Sequence, residues 1–410
     1  MPDTPSRRAF LIGVLSCGAL SAAATYFLPG GKPAPSVRLK LLTGADSTGG
    51  RKLLFEMWNA ANPDAQVDVT VVEGSTGDQK KRMIDAATNG TADLLNLDII
   101  DIQEFAGQGL ISRIELRKDR FMTRTIEASQ VSSDPGQYWA APFNTDVGML
   151  FERVAAGAAP AENLSLSNVL DTLVPGSQGF VGQVGPGSSA SDEAFVVNVL
   201  EHALSRDASI LNANGVPAYD LGRWQRALGH LRTAIVTRRI RLADNEATSL
   251  AAFMSEPRPR YMRNWPVQYR ELQQRNDPDV KTGRIRVHPL PVGILGGQSL
   301  TVVAQSRDQE RAMRLIDFLT SDEAQKVLAA HGLVPTRVAA YSDPNLRAFI
   351  PHLEAIRQAV ENTRPRPVHR NYSAFAQAVA KHVRPLLADG VELPSMFIDE
   401  IRGALPGTAG

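Results

Sequence analysis

Cysteine is almost missing from this chain: Cys17 is the single example among 410 residues. Beyond it there is no thiol, which excludes disulfides, cysteine-ligated zinc and a cysteine nucleophile from everything after the N-terminal segment. The fold must then be held by its apolar core. An excess of charge of either sign is equally lacking. Lys and Arg number 44 against 43 Asp and Glu, a net charge of +1, which offers no field for nucleic acid or a polyanionic surface. Nucleic-acid binding is therefore disfavoured. Catalytic signatures are lacking as well, because no H-E-x-x-H, G-x-S-x-G, G-x-x-x-x-G-K-[ST] or EF-hand loop occurs. Gly74-Ser75-Thr76-Gly77-Asp78-Gln79-Lys80-Lys81 resembles a phosphate loop only superficially, since the glycine-to-lysine spacing and the final hydroxyl are wrong. His202, His230, His288, His331, His352, His369 and His382 are scattered singly, a pattern of satisfied surface or core histidines rather than of metal ligands. Asp98 and Asp101 form the one candidate carboxylate pair for glycoside hydrolysis. They stand at a strand-to-helix junction, where a helix cap is the better reading for one of them. No catalytic residue, metal ligand or cofactor is assigned.

What is present begins with a targeting segment. Ser6-Arg7-Arg8-Ala9-Phe10-Leu11 is a paired arginine followed by an apolar run over residues 10–28, which resembles a twin-arginine export signal. Cys17 lies in Val14-Leu15-Ser16-Cys17-Gly18, a sequence resembling a lipoprotein cleavage box with an atypical Leu at its second place. Lipidation at Cys17 would anchor the chain to the membrane. Three alternatives stay open: cleavage after Ser21-Ala22-Ala23-Ala24, retention of the apolar run as an anchor, and Cys17 as a bystander. Gly30-Gly31-Lys32-Pro33-Ala34-Pro35-Ser36 is a linker, so residues 1–36 stand outside the fold and an exported, membrane-tethered, extracytoplasmic body is expected.

That body is long enough for two domains or two lobes. Residues 37–42 read as a strand, 43–50 as a polar loop, and Leu54, Trp58 and Ala61 as one helical face ended by Asn62-Pro63. A strand over 66–72, a helix over 78–89 and a strand over 92–100 follow. This β-α-β-α-β order predicts a mainly parallel sheet with ligands at the carboxyl ends of its strands, which places Asp46, Ser47, Thr48 and Asp98 beside a ligand. Residues 138–151 are two apolar strands broken by a polar kink, expected to cross into a second lobe of similar construction. There a helix over 166–173, a strand over 179–184 and a helix over 191–204 are predicted. Gly185-Pro186-Gly187-Ser188-Ser189-Ala190 has the letters of a dinucleotide fingerprint, but its central proline and the lack of a following acidic strand favour a polar loop at a helix N-terminus. Strands over 285–292 and 299–304 are expected to flank Gly293-Ile294-Leu295-Gly296-Gly297-Gln298, a tight turn by default or else a close approach of backbone to a ligand. Ser321-Asp322-Glu323 is expected to cap the helix over 321–331. Among the remaining features, Arg263-Asn264-Trp265-Pro266 stands out. Pro266 biases Trp265 towards extended or turn backbone, so its indole either stacks on a sugar ring or a cation, or packs under a loop.

Taken in order, several segments carry a family resemblance: Asn62-Pro63, Ala92-Asp93-Leu94-Leu95-Asn96-Leu97-Asp98, Glu104-Phe105-Ala106-Gly107-Gln108-Gly109-Leu110, Tyr138-Trp139-Ala140-Ala141-Pro142, Met262-Arg263-Asn264-Trp265-Pro266, Leu295-Gly296-Gly297, Phe318-Leu319-Thr320-Ser321-Asp322-Glu323-Ala324-Gln325 and Tyr341-Ser342-Asp343-Pro344. From residue 37 onward the chain resembles an extracellular solute-binding protein of the carbohydrate ABC-transporter type, and is similar to the trehalose/maltose-binding branch. The resemblance implies a two-lobed periplasmic-binding-protein fold of type II, α/β, each lobe a mainly parallel sheet flanked by helices. It also implies a hinge crossed three times, near Pro142, near Gly293 and near Val334-Pro335-Thr336. Lobe one is then 37–143 plus 293–336, and lobe two 144–292 plus 337–410. The contacts it implies are Asp98 and Asp146 accepting from sugar hydroxyls, Trp265 stacking, and Gly297 and Arg366 donating, with Arg82 a looser match. Asp101, Asn144 and Gln298 stand where the family places Trp, Tyr and Trp. Asn144 and Gln298 therefore join Asp46 and Ser47 as candidate contacts, and the ligand is expected to be smaller or more polar than trehalose or maltose. The expected role is capture of a small sugar or polyol by a monomer for delivery to ABC permease subunits, without chemistry. A sensor or scaffold of the same fold and a secreted glycosidase are the alternatives.

Overall fold

The computed structural model describes residues 37–74, 76–131, 134–158, 164–185 and 192–408. Cys17, the paired arginines and the linker lie outside the described residues, as do residues 186–190 of the glycine loop. The chain divides into two compact units, one running up to Thr145 and resuming over Gly297–Glu354, the other comprising Asp146–Gly296 and Ala355–Gly410. It passes from one to the other after Thr145, Gly296 and Glu354. The third passage lies well beyond the expected Val334-Pro335-Thr336. Residues 337–354 stay with the first unit because local polar contacts hold them there: Tyr341 Oη donates to Pro335 O at 2.8 Å and Lys326 pairs with Asp343 at 2.9 Å.

In the first unit the strands Val37–Gly44, Ala65–Val72 and Leu94–Asp98 run parallel, with Val37–Gly44 between the other two. Leu39 and Leu41 turn one face of the central strand into the core while Arg38 and Lys40 remain exposed, the two-residue alternation of a pleated strand. Helix Gly50–Ala61 buries Leu54, Phe55 and Trp58 against Phe143, Leu300, Leu315 and Leu328. Trp58 Nε1 donates to Ala65 O at 2.7 Å, and Asn62 ends the helix as the sequence predicts. Ser321 caps helix Asp322–Ala330, its Oγ accepting from Ala324 N at 3.2 Å.

The glycine-rich segment departs from expectation. Gly293–Val302 is one continuous strand, not two strands around a turn, and over residues 298–302 it pairs antiparallel with Leu94–Asp98, placing Gln298 opposite Asp98. Gly297 adopts φ +121°, and a Cβ on it would lie 2.5 Å from Asn144 O and from Thr145 Cα. The glycine therefore serves close approach of two backbones rather than a reversal.

The second unit is built on a five-stranded sheet in the order Ile285–Pro289, Met149–Arg153, Tyr261–Asn264, Phe180–Gly182, Ile240–Leu242. The last three run parallel and Met149–Arg153 is antiparallel to both its neighbours, so the sheet is mixed. Helices Asp192–Arg206, Leu221–Val236, Tyr372–Asp389 and Met396–Ala404 pack together, with the fully buried Trp224 edge-on to Phe397 at 5.4 Å.

Gly297→Ala is expected to lower stability by about 1–3 kcal/mol from backbone strain alone. Gly403→Ala, in helix Met396–Ala404 with open space around it, should leave stability unchanged or slightly raised. Denaturant unfolding of the two variants side by side decides this; equal midpoints would refute the close-approach role of Gly297.

Candidate functional site

In the first unit the polar residues gather at the carboxyl ends of the strands. Asp46 Oδ1 accepts from Thr48 N at 2.9 Å and Thr48 Oγ1 at 2.6 Å, and its Oδ2 accepts from Arg51 N at 2.9 Å. Its carboxylate thus organises the entry to helix Gly50–Ala61, where backbone N–H groups need acceptors. Ser47 is exposed beside it. Arg51, in the first turn of that helix, turns its guanidinium inward. One Nη donates to Thr43 Oγ1 at 3.3 Å and the other to Asn144 Oδ1 at 2.8 Å and to Gln298 Oε1. Asn96 Nδ2 completes the network on Thr43 Oγ1 at 2.9 Å and Gln298 Oε1 at 3.1 Å. Asn144 and Gln298 are therefore joined by Arg51, and Asn144 is almost wholly buried. Sequence reasoning missed Arg51 and Asn96. The available signal was a cation in the first turn of a helix, against the helix dipole and so in need of a reason.

Asp98 closes its strand, with Oδ1 accepting from Ile100 N at 3.2 Å. Asp101 occupies the cap position of helix Ile102–Gly107 but makes no side-chain cap bond, contrary to the helix-cap reading. Lys80 Nζ takes its carboxylate instead, at 3.0 Å, and also pairs with Glu104. Burial pushes the Asp101 pKa up to about 7; Lys80 pulls it down, while Asp98 and Glu104 push it higher. Burial opposes charge on Lys80 too, but Asp101 and Glu104 outweigh it and leave the Lys80 pKa raised. Arg82 is exposed on helix Thr76–Thr88.

In the second unit Trp265 follows strand Tyr261–Asn264 directly, and Pro266 leads into helix Val267–Gln274, as the Asn-Trp-Pro turn predicts. Asn264 Oδ1 accepts the Trp265 backbone N–H at 2.9 Å while its Nδ2 donates to Glu246 O at 3.1 Å. Trp265 Nε1 donates to Glu246 Oε1 at 3.0 Å, and the Arg263 guanidinium lies over the indole 4.0 Å from the ring centroid. A Cβ on Gly296 would meet Asp146 Cβ at 3.3 Å and Trp265 Cη2 at 3.6 Å, so Asp146 and the half-buried indole flank this glycine. Arg366 is buried in a cluster of its own, paired with Glu193 at 2.5 Å, and the same carboxylate accepts from Tyr372 Oη at 2.8 Å. Of the expected contacts, then, Asn144 and Gln298 are bridged by Arg51 in the first unit, and Asp146 and Trp265 flank Gly296 in the second. Asp46 is turned to helix capping, Arg366 to Glu193, and Arg82 to solvent.

The raised Asp101 pKa fixes the sign of a pH effect. Folding favours the protonated form, so this contribution to stability is complete below the ordinary carboxylate value of 3.8 and is lost as pH rises through about 7. Asp101→Asn removes the titration. It is expected to gain stability relative to the parent as pH rises from about 4 to about 7, and no more above that. A constant offset between the two unfolding curves from pH 4 to 8 would rule this out.

Among the described residues no group of three or more His, Cys, Asp or Glu is placed to hold a metal ion, and no helix is long and apolar enough to cross a membrane. The model of the family described as bacterial extracellular solute-binding protein matches residues 54–348. A curated relative from Deinococcus radiodurans, named "Probable ABC transporter-binding protein", is 26% identical over 265 residues, covering 59% of this chain and 61% of its own length. The chain thus spans about three fifths of that relative. The maltose-bound MalE3 of T. maritima superposes with a TM-score of 0.75 at 24% identity, covering 90% of this chain and 99% of the other. The sugar-binding protein MalE of Xanthomonas citri gives 0.73 at 16%, covering 90% and 96%. A solute-binding protein of Agrobacterium radiobacter K84 in complex with ribitol gives 0.70 at 19%, covering 91% and 99%. These structures share the two-lobed α/β fold of periplasmic binding proteins. With the family model matched over well more than half of its length, the chain belongs to the bacterial extracellular solute-binding proteins.

Proposed function

We propose that this protein is an exported receptor that captures a small carbohydrate or polyol and delivers it, unchanged, to the permease of an ABC importer. The observation that carries the reading is Trp265, an indole fixed by Glu246, Asn264 and Arg263 with Asp146 beside it at Gly296. A fixed aromatic ring with an acidic residue on the other side of the same glycine suits a molecule that offers C–H faces and hydroxyl donors together. In the second unit Asp146 accepts from hydroxyls and Trp265 stacks. In the first unit Asp98 and Gln298 supply hydrogen-bonding groups, with the Gly297 backbone N–H and Ser47 as further contacts. The names of the Deinococcus relative and of the maltose and ribitol complexes support the same class of ligand and partner. The protein is taken to work as a monomer held at the membrane through its N-terminal segment, with Cys17 the site of lipid attachment.

A second reading, a sensor or scaffold of the same fold without sugar transport, draws on one observation. Asp101, Asn144 and Gln298, which replace the family's aromatic residues, are all engaged within the first unit, by Lys80 or by Arg51. Calorimetric titration of maltose, trehalose, ribitol and tagatose separates the two, because heat from none of them favours the second. For whichever ligand binds, Trp265→Ala is expected to weaken binding by about 2 kcal/mol, roughly thirtyfold, with the melting temperature little changed. Unaltered affinity in a folded Trp265→Ala variant would return this residue to packing.

A further inference from the structure

We infer that Arg263 and Glu201 are positioning residues for Trp265: a fully buried ion pair that sets the tilt of the indole and ties it to the strand segments leading out of the second unit. Both side chains have zero exposure, and Arg263 Nε donates to Glu201 Oε2 at 2.5 Å. The other carboxylate oxygen accepts from Ile294 N at 3.1 Å, at the start of strand Gly293–Val302. Gly148 leaves room for this carboxylate, since a Cβ there would lie 2.2 Å from Glu201 Oε1. One side chain of helix Asp192–Arg206 thus touches the segment before strand Met149–Arg153, the start of Gly293–Val302, and the arginine beneath Trp265.

Folding stability alone is a weak reason for the pair. Arg263 Nη1 and Nη2 are buried with no hydrogen-bond acceptor among the described residues. A buried ion pair with unsatisfied donors is commonly no better for folding than apolar side chains of similar volume. What those side chains would not supply is a flat cation against the indole. A guanidinium 4.0 Å from the ring centroid covers one face, attracted by the ring quadrupole, and its flat shape is one that can stack on a ring. Glu246 fixes the ring's edge through Nε1 and Asn264 fixes the backbone N–H, but neither restrains rotation about the line between them. Arg263 does, and Glu201 holds Arg263. The opposite face is then the one left for a ligand, so the pair sets the angle at which a sugar ring meets Trp265. This last step rests on the proposed reading of Trp265; the positioning itself does not.

The test uses the full chain with Arg263→Lys, which keeps the charge but loses the plane, and the double variant Glu201→Gln/Arg263→Met, which removes both charges and retains an acceptor for Ile294 N–H. The Trp265 signal is isolated by subtracting the matching Trp265→Phe protein for the parent and for each variant. Folded circular dichroism and one cooperative melt are expected for both, together with a shifted Trp265 emission maximum and stronger quenching by acrylamide. If the parent binds maltose, trehalose, ribitol or tagatose, affinity for that compound should fall about tenfold in each, as expected for a misplaced contact group. Folded variants whose Trp265 emission and quenching match the parent overturn the inference, and so does loss of folding in both, which assigns the pair to stability alone. A spectral change in variants of a parent that binds no sugar leaves the positioning role standing and counts against the carbohydrate reading.

Discussion

A guanidinium removed from water must be compensated inside the protein, and in each unit of this chain one such group, only partly hydrogen-bonded, ties together the residues around it. The penalty for burying such a group is several kcal/mol before its hydrogen bonds are counted, so its surroundings are tightly specified. In the first unit Arg51 draws in Thr43, Asn144 and Gln298, which come from two different strands and the end of a third. In the second unit Arg263 is fixed by Glu201 and covers Trp265. Both arginines sit where strands end and helices begin, the part of an α/β unit where ligand-contacting side chains collect. They decide which of those side chains are rigid.

The three positions at which the family resemblance places aromatic rings show the consequence for the first unit. A ring would bury apolar area and leave a flat face. Asp101, Asn144 and Gln298 bring polar atoms that need partners once buried, and the unit supplies them internally through Lys80 and Arg51. The substitutions are thus coupled: Gln298 makes sense only with Arg51 and Asn96, and Asp101 only with Lys80. What such a surface offers a ligand is hydrogen bonding without stacking. That agrees with a proposed ligand smaller or more polar than a disaccharide, and it concentrates the stacking role on Trp265.

Much of the fold was legible in the sequence because it is decided locally. The period of Leu54 and Trp58, the stop at Asn62-Pro63, the Ser321 cap and the extended backbone before Pro266 each depend on a few consecutive residues, and each is realised. The glycine pair was misread because its conformation is set by a distant backbone: Gly297 is needed where the strand meets Asn144 and Thr145, which no local pattern announces. The third passage between units was placed too early for a similar reason, since residues 337–354 are retained by contacts to Pro335 and Lys326. The candidate site was legible by residue type and not by the partners its residues take. Trp265, Asp98 and Asp146 stand out as chemistry, but Arg51 reaches Gln298 across 247 positions and Glu201 reaches Arg263 across 62.

Glu201 shows why the supporting residues matter as much as the exposed ones. Its neighbours were each noticed for other reasons: Gly148 as part of an apolar strand pair, Ile294 as part of a supposed turn, Arg263 as one cation in an aromatic stretch. The carboxylate makes them one structure, because it fills the space Gly148 leaves open, accepts the Ile294 N–H and holds the guanidinium under the indole. A core packed at crystal density does not absorb a shift of any of these by small adjustments elsewhere. The orientation of Trp265 is therefore a property of the strand ends around Gly148 and Ile294 as much as of Trp265 itself, and a change at either acts on the ring without touching it.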